Sequence, residues 1–435
     1  MGVSQAAGHL MPILGGYMAD QVLGLRRSIL LGSVLLALAY LLIMLSGMTV
    51  ATYGDTLFLM AYAMTPAVGS LLSGTTSAMV SHIYQDEEVK VKSAMTYYYM
   101  AINIGALLAI IIAPSLLESR YGPLSVLAVT FLGKAIAAVN FSARYALYDN
   151  VIQGKDTQPL AKNQMVKMVL YVLSIYGFTL FSFLHVQIAG VLIGAGCLLG
   201  IAWFLYQTFA LQGLVRLKQC VAILLIMEAV VFFVMYNQMN TTLILFAKHN
   251  VHNQMFGISF SPAHYQLLNP ILIIGLGLYL PRFYRTFPRF TIPYQFAAGT
   301  IVASIALMGL GCAPAQAGGL VNAGYIALTY VGITLAELWV SAIGLSMIGL
   351  YCNIRMLGFA MGAWYLASSL SNVCSGYIAR WVALPTDKIS PLLSLEIYQS
   401  YYWYLGWVML GLGGLMLCNA YGLQRGLLRR GLRLV

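Results

Sequence analysis

The sequence predicts an all-α, polytopic membrane protein, and three observations support this fold class. Of the 435 residues, 60% are apolar and only 8% are charged, and the mean hydropathy is +0.83. The apolar residues fall into about thirteen runs, most of them long enough to cross a hydrocarbon core of ~30 Å as helices. A large soluble protein would carry more charged surface than this composition provides.

The apolar runs give the order of the predicted elements. We expect membrane-spanning helices at 2–18, 28–46, 57–81, 94–115, 124–147, 168–184, 187–210, 219–246, 263–280, 291–312, 322–350, 355–383 and 399–422. Polar or basic segments separate neighbouring runs, as they do in multi-pass proteins.

The net charge of +11 is explained by the way basic residues are distributed along the chain. Lys and Arg concentrate in alternate loops and in the last eleven residues, where Arg425, Arg429, Arg430 and Arg433 lie. Because cytoplasmic loops carry an excess of basic residues, this pattern predicts a cytoplasmic C-terminus. The basic excess therefore reports membrane topology, and we expect no nucleic-acid partner.

Cysteine and histidine do not form a recognisable metal or catalytic pattern. The six cysteines mostly fall inside or at the ends of predicted spans, and none is part of a CxxC pair. His249 and His252 have HxxH spacing, but no acid or cysteine accompanies them. The sequence also lacks HExxH and GxSxG motifs. We therefore expect no metal site, no cofactor and no enzymatic activity.

The chain divides into two groups of spans joined by an insertion. The longest polar stretch of the first half, 149–167, follows the fifth span, and two spans with almost no polar interior come next. We expect an N-terminal bundle at 1–148, a linker with two inserted helices at 149–217, and a C-terminal bundle with a basic tail at 218–435.

A lone acid, Glu337, lies near the middle of the predicted span 322–350. No other charged residue occurs between Arg289 and Arg355. Tyr330, Thr334, Glu337 and Ser341 recur at spacings of three and four, so they form one polar stripe on a helix. A carboxylate inside a membrane costs about 2.5–3.5 kcal/mol on insertion scales and usually serves a function. It could bind a substrate ammonium group, carry a proton, or form a structural hydrogen bond to another helix.

Three asparagines within predicted spans are further candidates. Thr96, Tyr99 and Asn103 share one helix face, Asn237 shares a face with Asn240 and Thr241, and Asn269 precedes Pro270. Each asparagine could contact a substrate or could bond a neighbouring helix. The dipeptide Asn269–Pro270 could also mark a helix bend.

A cytoplasmic helix–turn–helix is predicted around residues 15–27. Gly16 allows two helices to approach closely, Gly24 lies in the turn, and Asp20 can reach the basic loop or a helix end. Arg26 and Arg27 begin the next helix. We expect this segment to stabilise one conformational state rather than to perform chemistry.

Four stretches of the sequence resemble proton-dependent oligopeptide transporters of the major facilitator superfamily, most closely the bacterial dipeptide and tripeptide permeases. They are GGYMADQVLGLRRSILLG at 15–32, YYYMAINIGALLA at 97–109, the stretch 236–270 beginning YNQMNTTLILFAKHN, and ELWVSAIGLSM at 337–347. The resemblance implies the major facilitator fold, with twelve core spans plus two inserted helices. Because the match starts at the family's second helix, we expect this chain to lack the first.

The resemblance implies a secondary transporter of small peptides with a site between two bundles. It assigns Glu337 to the peptide amino terminus, Asn103 and Asn269 to peptide contacts, and Trp364 and Ser368 to side-chain pockets. We also expect Asn237, Ser341 and His9 among the substrate-binding residues. Trp364 could equally be a packing residue. The motif containing Gly16, Asp20, Gly24, Arg26 and Arg27 corresponds to the family's gating motif. We expect a monomer in the bacterial inner membrane, with a proton as the coupling ion.

Some residues depart from the family pattern. Gly74 stands where the family usually has a lysine, His9 stands at a tyrosine position, and Asn237 at an acidic one. The lysine and an arginine of the missing first helix are tied in relatives to proton coupling and to the peptide carboxylate. A small-residue stripe around Gly74 also fits close helix packing. His9 could supply proton linkage near neutral pH. The alternative is therefore a truncated or repurposed relative with another amine-bearing substrate or no transport role.

Overall fold

The structure is a computed structural model of the chain. It describes residues 2–49, 55–85, 87–149, 155–157, 159–255, 257–316, 318–382 and 390–429. The side chains of residues 2–9, 155, 186, 255 and 258 lie outside this description.

Helices account for nearly all of the regular structure in the described residues. Their bounds are α1 Gly2–Met18, α2 Leu25–Met48, α3 Thr56–Tyr62, α4 Met64–Ser73, α5 Thr75–Ile83, α6 Glu88–Leu117, α7 Pro123–Ala143, α8 Lys162–Leu184, α9 Val186–Ala210, α10 Gly213–Tyr236, α11 Thr242–Asn250, α12 Leu268–Gly277, α13 Leu280–Thr286, α14 Ile292–Gly311, α15 Ala323–Glu337, α16 Ile343–Tyr351, α17 Leu357–Ala379 and α18 Pro391–Leu428.

Shorter elements join these helices. Two π-helical turns occur at Ala19–Leu23 and Leu338–Ala342, and 3₁₀ turns at Tyr145–Tyr148, Lys155–Thr157, Asn237–Asn240, Pro262–Leu267, Ile354–Met356 and Arg380–Val382. The two-residue strands are β1 Val251–His252, β2 Gln254–Met255, β3 Ile258–Ser259 and β4 Val321–Asn322. β1 pairs in parallel with β4, and β2 pairs antiparallel with β3.

A helix or a broken series of helices lies at each of the thirteen predicted spans. By length and composition, ten helices in the described part of the chain could cross a membrane, and eleven if the bent pair 262–277 and 280–286 is one span. The 17-residue α1 and the less apolar α17 are not among these. The all-helical membrane fold is therefore confirmed, whereas the number thirteen stays a prediction.

The chain divides into two compact units, and the first comprises 1–87, 109–222 and 348–369. Its helices approach closely because glycines lie where they cross. A Cβ atom on Gly16 would meet the backbone of Gly358, and one on Gly362 would meet the backbone of Pro12 and Ile13. Small residues permit such contacts, and close packing then stabilises the helix pair.

The inserted helices α8 and α9 pack within this first unit. The Tyr171 hydroxyl of α8 is 2.7 Å from the Ser70 hydroxyl of α4. On α9, Gly196 faces the Leu10 side chain of α1, and Phe204 packs edge-on against Phe359. The pair is thus attached to the bundle on one side and leaves most of α9 exposed for lipid.

The second unit comprises 88–108, 223–347 and 370–435. Its largest fully buried side chains include Phe232, Phe246, Tyr330 and Tyr402. The predicted span 219–246 is interrupted by the 3₁₀ turn at 237–240, after which α11 begins. Pro270 lies in the first turn of α12, where a missing N–H group is tolerated, and the 49° bend comes later, between α12 and α13.

Candidate functional site

The second unit holds a buried carboxylate, Glu337, at the C-terminal end of α15. Its side chain is 1% exposed. The Tyr99 hydroxyl of α6 donates a hydrogen bond to one carboxylate oxygen, and the Asn269 amide of α12 donates to the other. The Tyr236 hydroxyl of α10 is also close enough to interact with this carboxylate. Four helices therefore converge on one acid, which is surrounded by neutral donors.

Asn269 is held in place by a second hydrogen bond. Its Nδ2 atom lies 3.1 Å from the Thr334 hydroxyl, one helical turn before Glu337 on α15. Tyr330, one further turn away, donates to the Met239 carbonyl oxygen at 2.8 Å. The polar stripe expected on this helix is thus present, and its first two members anchor neighbouring chain segments. The amide of Asn269 is oriented toward the acid before any ligand arrives.

The α-helical hydrogen-bonding pattern changes directly after Glu337. Residues Leu338–Ala342 form a π-helical turn, and Ser341 is buried within it. Such turns are rare and often occur at functional sites, because an inserted residue redirects side chains and loosens backbone hydrogen bonds. Hydropathy and spacing do not reveal this turn, since its residues are as apolar as their neighbours.

Asn103 and Asn237 both lie near the Glu337 site but make other contacts. The Asn103 amide donates to the Tyr99 carbonyl oxygen at 2.9 Å, within its own helix. The Asn237 amide donates to the hydroxyls of Ser371 and Ser375 on α17, at 3.2 and 3.4 Å. Asn237 thus makes the helix–helix bonds that were one of its two expected roles.

The remaining candidate substrate residues lie in the first unit. Trp364 is buried and Ser368 is partly buried, one turn later on α17. His9 lies on α1, but its side chain is outside the described residues. A Cβ atom on Gly74 would lie 3.0 Å from the Gly362 backbone nitrogen and 3.1 Å from the Gly358 carbonyl oxygen. Position 74 is therefore a close backbone crossing, as the small-residue stripe predicts.

The predicted gating segment forms a carboxylate cap on a distant helix. Asp20 accepts hydrogen bonds from the backbone N–H groups of Gly358 at 3.0 Å and Phe359 at 2.8 Å, in the first turn of α17. A negative charge there also complements the positive end of the helix dipole. Burial raises the pKa of Asp20 to about 7, while the two backbone donors favour the charged form and limit the rise.

A second acid, Asp156, caps a helix of the same segment and was not predicted. Its carboxylate accepts the backbone N–H groups of Arg26 at 3.0 Å and Arg27 at 3.3 Å, in the first turn of α2. Arg26 also forms an ion pair with Asp149, and Arg27 donates to the Asp156 carbonyl oxygen at 3.1 Å. Gly24, at φ +93°, has no room for a Cβ atom beside Asp156. The sequence offered one signal for this cap, namely the acidic residues of the linker together with the basic pair that follows Gly24.

A second buried intramembrane carboxylate lies apart from this set. Glu228 on α10 is 7% exposed and accepts a hydrogen bond from the Asn419 amide of α18 at 3.2 Å. Within the described residues Glu228 forms no ion pair. Its bond to Asn419 is a contact between neighbouring helices.

Comparisons with known proteins agree with one another. Residues 26–403 match the family described as PTR2, the POT family. The chain is 30% identical to the dipeptide and tripeptide permease A of Salmonella typhimurium over 95% of its length and 82% of that protein. It is 33% identical to the permease of the same name from Erwinia pyrifoliae, over 90% of its length and 79% of that protein.

Solved structures give the same result. The chain is similar to a bacterial homologue of the human drug peptide transporters PepT1 and PepT2, with a TM-score of 0.72 and 26% identity over 98% of this chain and 89% of that one. It is also similar to tetrameric PepTSo2, with a TM-score of 0.73 and 27% identity over 98% of this chain and 90% of that one.

Proposed function

This chain belongs to the POT family, and on that premise we propose that it is a secondary transporter that imports di- and tripeptides across the bacterial cytoplasmic membrane by alternating access. The family is one of transporters and not of enzymes. We propose the proton as coupling ion and no other cofactor. The positive-inside pattern supports a cytoplasmic C-terminus.

The observation that carries this proposal is the neutral environment of Glu337. Its carboxylate is buried in a membrane-spanning helix and receives hydrogen bonds from a tyrosine and an asparagine. Within the described residues no Lys, Arg or His forms an ion pair with it. A buried acid without a counter-charge favours either a proton or a cationic ligand. The peptide amino group supplies such a cation, and in its absence a proton can neutralise the acid.

The other site residues support a peptide substrate by their chemistry. Asn269 and Asn103 offer amide groups of the kind that bond a peptide backbone, and Ser341 adds a hydroxyl at the same turn as Glu337. Asn237 would exchange its two serine contacts for substrate. We propose Trp364 and Ser368 as walls of a side-chain pocket, and His9 as a further site residue.

The gating role proposed for residues 16–27 follows from the caps described above. Asp20 ties the end of α1 to the start of α17, and the bonds it makes can form only while these two helices are adjacent. Breaking them would expose the first N–H groups of α17. The segment therefore favours one arrangement of the helices, which is what a gate in an alternating-access transporter requires.

The domain division 1–148, 149–217 and 218–435 remains part of this proposal. It assigns one helical bundle to each end of the chain and treats the linker with α8 and α9 as an insertion. The packing of α8 and α9 along one side of the first unit supports a peripheral position for them.

Uptake by reconstituted protein tests the proposed function. Proteoliposomes containing wild-type protein should accumulate a labelled tripeptide when an inward proton gradient is imposed, and liposomes without protein should not. Glu337→Gln should abolish accumulation, whereas Glu228→Gln, which changes a buried acid in the same unit, should leave it near the wild-type level. Failure of the wild-type protein to accumulate any di- or tripeptide would contradict the proposal.

A different amine-bearing substrate is the second candidate, because position 74, where the family usually has a lysine, is a glycine at a close helix crossing. Competition separates the two candidates. If free amines without a carboxylate inhibit uptake as strongly as tripeptides do, the peptide assignment is wrong.

A further inference from the structure

An open groove lies between the end of α17 and the first half of α18. Ile378, Trp381 and Val382 line it on one side, and one face of residues 393–409 lines it on the other. Its volume is about 680 Å³, which is within the range of ~300–1,000 Å³ that is typical of ligand sites. All of these residues belong to the second compact unit, and we call this feature the α17–α18 groove.

The α17–α18 groove changes from polar to apolar along its length. The lining residues of α18 recur every three or four positions, so they form one stripe along the helix. Glu396 and Ser400 lie near the start of this stripe, whereas Leu405, Val408 and Met409 form its far end. The groove therefore carries a carboxylate toward one end and only apolar side chains at the other, as an amphiphilic ligand requires.

A second, smaller cavity adjoins the polar end of the groove. It has a volume of about 350 Å³, and Glu396, Ser400 and Tyr404 line both cavities. Its other walls include Gly311 and Gln399. Space for a polar headgroup thus lies directly beside space for an apolar chain.

Glu396 is the only charged residue among the described residues that line the two cavities. Its carboxylate is exposed in the second turn of α18 and forms no ion pair with a described residue. A carboxylate without a counter-ion at the edge of an apolar groove favours a ligand whose polar end is cationic. A primary ammonium group suits it best, because such a group can donate charge-assisted hydrogen bonds to the carboxylate.

The dimensions of the groove correspond to one leaflet of a bilayer. Glu396 and Met409 are thirteen residues apart, which is ~20 Å along a helix at 1.5 Å per residue. Half of a bilayer, including its headgroups, is also ~20–22 Å thick. Trp381 is 80% exposed and Tyr404 is 70% exposed, and aromatic side chains of this kind concentrate at the membrane–water interface. The polar end of the groove therefore lies at the depth of lipid headgroups.

We propose that the α17–α18 groove binds a phospholipid whose headgroup carries a primary ammonium group, as in phosphatidylethanolamine. Glu396 would accept hydrogen bonds from the ammonium group, and the hydroxyls of Ser400 and Tyr404 would donate to the phosphate oxygens. One acyl chain would lie along Leu405 and Met409. This inference depends on the membrane fold and not on the proposed peptide substrate.

Native mass spectrometry of the purified protein with phospholipids of identical acyl chains tests the headgroup preference. Wild-type protein should bind phosphatidylethanolamine about tenfold more tightly than phosphatidylcholine, because the trimethylammonium group cannot donate hydrogen bonds to Glu396. Phosphatidylglycerol, which has no cation, should also bind weakly. Glu396→Gln should reduce the affinity for phosphatidylethanolamine to that for phosphatidylcholine. Glu118→Gln changes an exposed acid beyond the end of α6 and should keep the wild-type preference.

A second pair of variants tests the apolar part of the groove. Val408 and Leu415 both lie on α18 and are both 61% exposed, but only Val408 lines the groove. Val408→Trp should fill the groove and weaken the binding of all three phospholipids. Leu415→Trp, the matched control, should bind them as the wild type does.

Equal wild-type affinity for phosphatidylethanolamine and phosphatidylcholine would overturn this inference, whatever the variants do. A Glu396→Gln protein that kept the wild-type preference would overturn the role of Glu396. If Val408→Trp instead dissociated an oligomer and left lipid binding unchanged, the groove would be a contact between copies of the chain and the proposal would be wrong. Failure of peptide uptake with an intact lipid preference would contradict only the proposed function.

Discussion

Replacing Glu337 by Gln isolates the charge of the buried carboxylate while nearly preserving its shape. In the structure, the carboxylate oxygens accept one hydrogen bond from Tyr99 and one from Asn269. The glutamine oxygen can still accept one of them, whereas its NH₂ group would face a donor. The variant should therefore fold, with a modest loss of thermal stability, because one buried hydrogen bond contributes about 1 kcal/mol.

The effect on binding should be much larger than the effect on stability. An ammonium group 4 Å from a carboxylate gains about 4 kcal/mol at an effective dielectric constant of about 20. Part of this is offset because the ammonium loses its hydration, and hydrogen bonds to charged groups contribute about 1.5–3 kcal/mol net. A loss of about 3 kcal/mol corresponds to roughly 100-fold weaker binding. Glu228→Gln changes an acid whose hydrogen bond in the described part of the chain comes from Asn419. It should alter affinity less than about threefold, since it removes no proposed substrate contact.

Titration calorimetry in detergent can measure the tripeptide affinity of the wild type and of each variant. An N-acetylated tripeptide, which lacks the free amino group, provides a second ligand for the comparison. Wild-type protein should bind the peptide with a free amino group about 100-fold more tightly than the acetylated peptide, because acetylation removes the same interaction that the substitution removes. Glu337→Gln should bind free and acetylated peptides alike. If the variant kept the wild-type preference for the free amine, Glu337 would not be the amino-group ligand and the reasoning would fail.

Three further predictions concern the gating segment. Because the pKa of Asp20 is raised to about 7 from 3.8, the folded protein holds a proton that the unfolded chain releases, so stability should fall as pH rises between these values. Unfolding temperatures from pH 5 to 8 should therefore decline more in wild type than in Asp20→Asn, and parallel profiles would refute this. Asp156→Ala should cost about 1 kcal/mol of unfolding free energy through the lost cap, whereas Asp55→Ala, which removes an acid that makes no cap bond, should cost little. Gly16→Ala should lower the free energy of unfolding by about 1–3 kcal/mol, because α17 must move to make room for the added methyl group. Gly133→Ala adds its methyl group in open space and should be neutral or stabilising. Similar losses of stability in the two variants would contradict the close packing at Gly16.

The sequence predicted the parts of the fold that depend on composition. Thirteen apolar runs correspond to helices or broken helices, because hydrophobic length is set by the bilayer and can be counted along the chain. The break at Asn237–Asn240 and the π-helical turn after Glu337 were not predicted. Both are changes in backbone hydrogen bonding. Mostly apolar side chains continue through 338–342, and the polar residues at 237–240 do not by themselves mark a helix break.

Only part of the site could be predicted, because the sequence indicates which residues share a helix face but not which helices lie beside one another. Glu337 was identified because a lone acid in an apolar span has few explanations, and its neighbours on α15 follow from helical spacing. The contact with Tyr99 depends on how α6 and α15 are rotated relative to one another, which spacing within either helix does not fix. The cap made by Asp156 lies about 130 residues along the chain from Arg26 and depends on how the linker folds back.

Counterflow exchange in proteoliposomes tests the central claim most directly. Vesicles loaded with an unlabelled tripeptide are diluted into a trace of labelled tripeptide, with no ion gradient. If the chain is an alternating-access peptide transporter with Glu337 as amino-group ligand, wild-type vesicles should transiently accumulate label, and Glu337→Gln vesicles should not. Folded wild-type protein that exchanges no label for any di- or tripeptide would contradict the account.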